Sequence, residues 1–253
     1  MTASAASPDF VPVTASHAQG MAERALAPFV ARALHGGRTL HAWAESQPGS
    51  RAFQGRATAW AVRLGPESVV VRHSRHGGVL APVTGDLFVA PTRAPAELDA
   101  SRRLLALGIP TPEVLAYVIY PAALGFARAD VATREVPQGG DLLAVLARTG
   151  VDERRARVLP PVSSLLDALA AAGVQHPDLN LKNVLLAPAV DGSLVAWLLD
   201  TDVVTFGAEG DVAGDVANRS RLARSIAKRA ASFAAPWDAA DDRLCGLARE
   251  ASA

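Results

Sequence analysis

One stretch constrains this chain more than any other. It is His176-Pro177-Asp178-Leu179-Asn180-Leu181-Lys182-Asn183, followed at once by Val184-Leu185-Leu186, a turn at Asp191-Gly192, and Val195 to Leu199 ending in Asp200. Short apolar runs bounded by turn residues predict two strands of a hairpin. The hairpin returns Asp200 to the end from which the polar loop departs, beside Asp178 and Asn183. A carboxylate, an amide and a second carboxylate are thereby brought to one place. The bland alternative is an Asx-rich turn whose side chains only cap backbone amides. That reading leaves the returning hairpin and both downstream acids, Asp200 and Asp202, unexplained.

The remainder of the chain suits a two-lobed arrangement. Its 253 residues suffice for one large domain or two small lobes, and 50% apolar against 20% charged residues is a globular composition. Residues 1 to 18, small and polar with Pro8 and Pro12, read as a flexible tail, and Met21 to Leu34 as a helix ending at Gly36 and Gly37. Ala57 to Leu64 and Ser68 to His73 read as strands around Gly65-Pro66, Pro95 to Leu107 as a helix stopped by Gly108, and Val114 to Tyr120 and Gly125 to Val136 as two more strands. Asp141 to Ala147, Val158 to Ala172 and Asp215 to Phe233 read as helices, with Val184 to Leu186 and Val195 to Leu199 as the only strands of the second half. The expected class is α+β: a tail and helix over 1–36, a sheet-rich lobe over 37–136 and a helical lobe over 137–253.

The frame of that loop, His-x-Asp-Leu with Asn five residues after the Asp, is the frame of the protein-kinase catalytic loop, where a later Asp holds magnesium. The spacing has a mechanical reason. One carboxylate must meet the attacking hydroxyl while an amide oxygen and another carboxylate hold the metal on the phosphates a few ångströms away. The first half supplies matching pieces. Gly55, between the first candidate strands, is placed where a loop would cover phosphates. Arg72 ends the strand Val69-Val70-Val71, and Glu97 lies on the next helix where an ion-pair partner belongs. Taken singly, each has an ordinary reading as a hairpin glycine or a solvated surface charge.

Together these residues resemble a known family. Val70-Val71-Arg72-His73-Ser74-Arg75-His76-Gly77-Gly78, Ala96-Glu97-Leu98 before Leu107-Gly108-Ile109-Pro110-Thr111-Pro112, Asp178-Leu179-Asn180 and Asp200-Thr201-Asp202 look like a 3-deoxy-D-manno-octulosonic acid (Kdo) kinase, over roughly residues 50 to 230. That family belongs with the lipopolysaccharide kinases of Gram-negative bacteria. The resemblance implies a small bilobal protein-kinase-like fold and phosphorylation by ATP of the 4-hydroxyl of Kdo on a lipid A precursor, at the cytoplasmic face of the inner membrane. It implies Asp178 as catalytic base, Asn183 and Asp200 as ligands of Mg2+, and Arg72 in place of the phosphate-pairing Lys with Glu97 as its partner. Departures are a thin glycine loop with Ala57 where a second glycine is expected, Thr201 in place of Phe between the acids, and His176-Pro177 before the catalytic Asp.

The alternatives are a kinase for a heptose of the core, a small Ser/Thr-type protein kinase, and a non-catalytic pseudokinase. Only 53 residues follow Asp200 and no Ala-Pro-Glu occurs, which disfavours a peptide acceptor. The three polar residues needed for base and metal are present, which disfavours the pseudokinase. Equal numbers of basic and acidic residues, 25 each, give no reason to expect nucleic acid, and no obligate protein partner is expected. The lone Cys245 and an N-terminus whose first basic residue is Arg24 fit a cytosolic protein without a signal peptide or membrane span. Arg219, Arg221, Arg224, Lys228 and Arg229, with no acid between Val216 and Pro236, suggest a helix with a basic side suited to an anionic membrane surface, attached peripherally.

Overall fold

In the computed structural model the described residues are 9–53, 58–74, 88–89 and 92–247. They divide into two compact units, residues 1–99 with 113–135 and residues 100–112 with 136–253. Residues 100–112, expected in the first lobe, thus belong to the second.

The first unit is built on one antiparallel sheet. Its path runs β1 (Phe10–Ala15), β2 (Ala18–Glu23), β7 (Val114–Pro121), β8 (Phe126–Arg134), β5 (Glu67–His73), β4 (Ala59–Leu64) and β3 (Arg51–Phe53), with the short β6 (Phe88–Val89) also pairing β8. The hairpins around Gly65-Pro66 and between β7 and β8 lie where the alternating apolar pattern predicts them. The tail does not: β1 and β2 form a hairpin through Ser16-His17 and extend the sheet by pairing β2 with β7. Pro12 is compatible with this because β1 is an edge strand, where a missing N–H breaks no ladder. The helix expected over Met21 to Leu34 is accordingly shortened to α1 (Ala27–Ala33), with Pro28 in its first turn, since Met21 to Glu23 are committed to β2.

Alternate residues of the strands face opposite layers. On one face, Val69, Val71, Leu115, Val118 and Ala132 pack with Leu26 and Val30 near α1 and with Leu40 and Ala44 of α2 (Leu40–Glu45). On the other, Val114, Ala129 and Val131 pack with Ala94 and Leu98 of α3 (Ala94–Ala106). Gly108 ends α3 at φ 73°, closed by the Ile109 amide donating to Leu104 O at 2.9 Å.

The second unit has its core on α5 (Leu159–Ala171), which buries Leu159, Val162, Leu165, Leu166 and Leu169 at helical spacing. Leu222 and Ile226 of α6 (Val212–Arg229) join it, as do Leu142 and Leu146 of α4 (Leu142–Leu146), whose first turn is capped by Asp141. Two small sheets add strands beyond the expected pair. β9 (Gly140–Asp141) joins β11 (Val184–Pro188) and β12 (Leu194–Leu198), and β10 (Val174–Gln175) pairs β13 (Thr205–Phe206). The C-terminal α7 (Ala239–Leu244) is anchored by the fully buried Arg154–Asp241 ion pair at 2.7 Å. Burial pushes the Cys245 thiol up to about 12, which keeps it neutral and inert.

Candidate active site

The loop between β10 and β11 alternates its side chains. Leu179 and Leu181 are buried in the core of the second unit, while Asp178 and Lys182 face solvent. Two helix residues hold its backbone. Asn218 of α6 accepts from the His176 amide at 3.0 Å and donates to Val174 O at 2.8 Å, and Ser225 accepts from the Leu181 amide at 3.2 Å. Within the loop the Asn180 and Asn183 side-chain nitrogens both donate to the Asp178 carbonyl at 2.8 Å, and Asn180 Oδ1 accepts from the Lys182 amide at 2.9 Å. Because its nitrogen is spent on that carbonyl, Asn183 presents Oδ1 as the atom left for a ligand.

His176, fully buried, ties this loop to the returning strand. Its Nδ1 accepts from the Asp178 amide at 3.2 Å and its Nε2 meets Leu199 O at 3.0 Å, two contacts that fit the single tautomer with a proton on Nε2. The Leu199 amide donates to Asn183 O at 2.9 Å. The residue before Asp200 is thus bonded both to Asn183 and to the histidine that carries Asp178. The hairpin therefore closes as the sequence predicts, with Asp178, Asn183 and Asp200 at one end of it. Asp200 stands at φ 61°, ψ 51°, a left-handed conformation that costs an L residue about 1–2 kcal/mol and that Asp tolerates better than most. Strain held at a half-buried acid, just before the buried Thr201, is the kind of feature that collects at functional sites.

The donors suit a hard divalent cation. Asn183 Oδ1 and the Asp200 carboxylate are oxygen ligands of the sort magnesium takes alongside substrate phosphates. Among the described residues no three His, Cys, Asp or Glu side chains converge as a metal cage, so phosphate and water oxygens would complete the shell.

In the first unit, Arg72 and Glu97 form an ion pair, with the Glu97 side chain 5% exposed and that of Arg72 30%. Strand alternation explains the arrangement, since Arg72 points to the face covered by α3 and its neighbour His73 to the other. His73 Nδ1 lies 2.5 Å from Oδ1 of Asp130, which is fully buried on β8. The second Asp130 oxygen accepts from the Tyr120 hydroxyl at 2.9 Å and from the His41 amide at 2.8 Å. Burial, and then the Asp130 charge, push the Tyr120 hydroxyl far above its ordinary pKa, so it remains a donor. This network fixes the strand end that carries Arg72, and nothing in the residue pattern around Asp130 announces it. Gly55 and the stretch Arg75 to Gly78 lie outside the described residues.

The family described as lipopolysaccharide kinase (Kdo/WaaP) has a model that matches residues 40–237. The 3-deoxy-D-manno-octulosonic acid kinase of Vibrio parahaemolyticus serotype O3:K6 is 25% identical over 203 residues, 79% of this chain and 81% of that one. The protein of the same name from Vibrio cholerae serotype O1 is 27% identical over 188 residues, 72% of this chain and 75% of that one. Among solved structures, WaaP in complex with acyl carrier protein aligns with a TM-score of 0.54 at 16% identity, covering 86% of each chain, which shows a shared fold.

Proposed function

The chain belongs to the lipopolysaccharide kinase (Kdo/WaaP) family, phosphotransferases acting on a sugar hydroxyl, and from that membership we propose that it transfers the γ-phosphoryl group of ATP to the 4-hydroxyl of Kdo on a lipid A precursor. The observation that carries the reading is the closure through His176 and Leu199, which gathers a solvent-facing carboxylate, an amide oxygen and a second carboxylate at one end of the β11–β12 hairpin.

Each residue then has a task. Asp178, exposed and held by its own backbone, accepts the proton of the acceptor hydroxyl as that oxygen attacks phosphorus. Asn183 Oδ1 and Asp200 hold Mg2+, which when bound offsets charge on the phosphate oxygens. Arg72, kept in place by Glu97, pairs with the phosphates in the role a Lys takes in protein kinases. Arg is always charged and forks onto two oxygens, so the exchange preserves the electrostatics. Gly55 is proposed as part of the nucleotide-covering loop. Among the described residues no helix is long and apolar enough to cross a membrane. Contact with the lipid-borne acceptor is proposed to be peripheral, at the cytoplasmic face of the inner membrane.

A magnesium titration tests the assignment. Asp200→Ala should shift the magnesium requirement of ATP turnover upward by an order of magnitude or more, and Asn183→Ala should do so more mildly, because each removes one oxygen from a hard cation. Titration curves for both variants that overlie the wild type would remove these residues from the metal site.

A further inference from the structure

The stretch Leu107-Gly108-Ile109-Pro110-Thr111-Pro112, which follows α3, has no part in the proposed chemistry, yet it touches the strand that ends in Asp200. Its two prolines dictate its shape. Each biases the residue before it, Ile109 and Thr111, toward extended backbone, so the segment suits the side of a strand. It lies against β12, which is the edge strand of the sheet it forms with β11 and β9 and so has polar backbone groups to satisfy. The Leu198 amide donates to Pro110 O at 2.8 Å, and the Thr111 hydroxyl donates to Leu198 O at 2.8 Å. Thr111 and Leu198 are both buried, so these bonds are made away from bulk water.

The two bonds complete a set. Leu199, the next residue, donates its amide to Asn183 O, and its carbonyl meets His176 Nε2. All four backbone polar groups of the two residues that precede Asp200 are therefore bonded, two of them to Pro110 and Thr111. Downstream, the Val204 amide donates to Thr201 O at 3.2 Å, and Phe206 pairs in register with Val174, its ring covered by the Arg103 guanidinium 4.0 Å from the centroid. The left-handed backbone of Asp200, at φ 61°, is thus fixed from both sides.

A residue in so sparsely populated a region stays there only while its surroundings over-determine it. Loss of one surrounding bond lets the backbone relax and carries the carboxylate away from where Asn183 can share a cation with it. We propose that Thr111 is a positioning residue that holds Asp200 in the conformation in which it ligates Mg2+. The inference rests on the metal role proposed for Asp200 and adds to it a residue that acts through that one.

The test reads metal binding apart from turnover. In the full chain, the Kd of a non-hydrolysable ATP analogue is measured with Mg2+ and with the metal chelated, and the ratio of the two is the contribution of magnesium. Thr111→Val keeps the shape and deletes the hydroxyl. It should cut that ratio about 2- to 10-fold, the span of one hydrogen bond, and leave the Kd of the metal-free analogue unchanged. Thr111→Ser, which keeps the hydroxyl, should restore most of the wild-type ratio. In an Asp200→Ala background, Thr111→Val should have no further effect on the ratio, a non-additivity that a purely structural role would not produce. A Thr111→Val protein with a lowered thermal midpoint but the wild-type ratio would overturn the proposal while leaving the metal assignment standing. An Asp200→Ala protein with the wild-type ratio would overturn the metal assignment and the proposal with it.

Discussion

In its proposed role the Arg72 guanidinium must be aimed at phosphates as well as charged, and its ion-pair partner Glu97 would help to aim it. Each member of this shielded pair is a charged partner of the other, so the two substitutions should be energetically coupled. Arg72→Ala should raise the apparent KM for ATP by about 10-fold, the loss of one charge-assisted hydrogen bond, and Glu97→Ala should partly copy it. The double variant should lose less than the sum of the singles. Strict additivity in a double-mutant cycle would show that the pair does not work as a unit. The places of Arg72, Glu97, Asp178, Asn183 and Asp200 on their strand, helix and loops were legible in the sequence because each sits at a fixed distance from an apolar run, and their roles are those proposed above. Asp130, Asn218 and Ser225 were not. They are lone polar residues inside a strand or a helix, and only the tertiary fold shows that Asp130 gathers donors from Tyr120, His73 and His41 while the other two carry the Asp178 loop. Arg219 shows the reverse error, a basic residue that reads as surface charge but is neutralised by acids on α5 and α6.

At the scale of the element, the N-terminal hairpin is the largest departure from the sequence reading. Composition around Pro8 and Pro12 signals a tail, and nothing local reveals that β2 finds a partner in β7, nearly a hundred residues on. Gly20 records that pairing: a Cβ there would lie 2.0 Å from Tyr117 O, on backbone that cannot swing aside. Gly20→Ala should therefore destabilise the protein by about 2 kcal/mol, within the range for overpacking, and lower its thermal midpoint. An unchanged midpoint would mean that the hairpin is not docked on the sheet. Elements defined by strong periodicity or by a short turn, such as α3, α5, the β4–β5 hairpin and the β7–β8 hairpin, were legible. The strands β9, β10 and β13, of two residues each, were not, because a pattern that short has no period to read.

For the whole molecule, a formal charge of zero means that attraction to an anionic surface has to be local. Arg224, Lys228 and Arg229 are exposed on α6, where Arg219 is buried and Arg221 half-buried, and each charge near an anionic bilayer contributes about 1 kcal/mol. Replacing these three with Gln should reduce co-sedimentation with anionic vesicles and activity on a membrane-embedded acceptor while sparing a soluble one, and added salt should weaken wild-type binding in the same direction. Unaltered vesicle binding by the folded triple variant would reject this face as the membrane contact. The central claim, that the Asp178 loop performs phosphoryl transfer to Kdo, is tested most directly by mass spectrometry of the acceptor after incubation with ATP and magnesium. The wild type should add one phosphoryl group to Kdo-lipid A at the 4-hydroxyl. Asp178→Asn should bind ATP as before yet turn over on the order of 10²–10⁴ more slowly, the usual contribution of a general base. A wild type that leaves Kdo unmodified, or an Asp178→Asn protein that retains most of its activity, would contradict it.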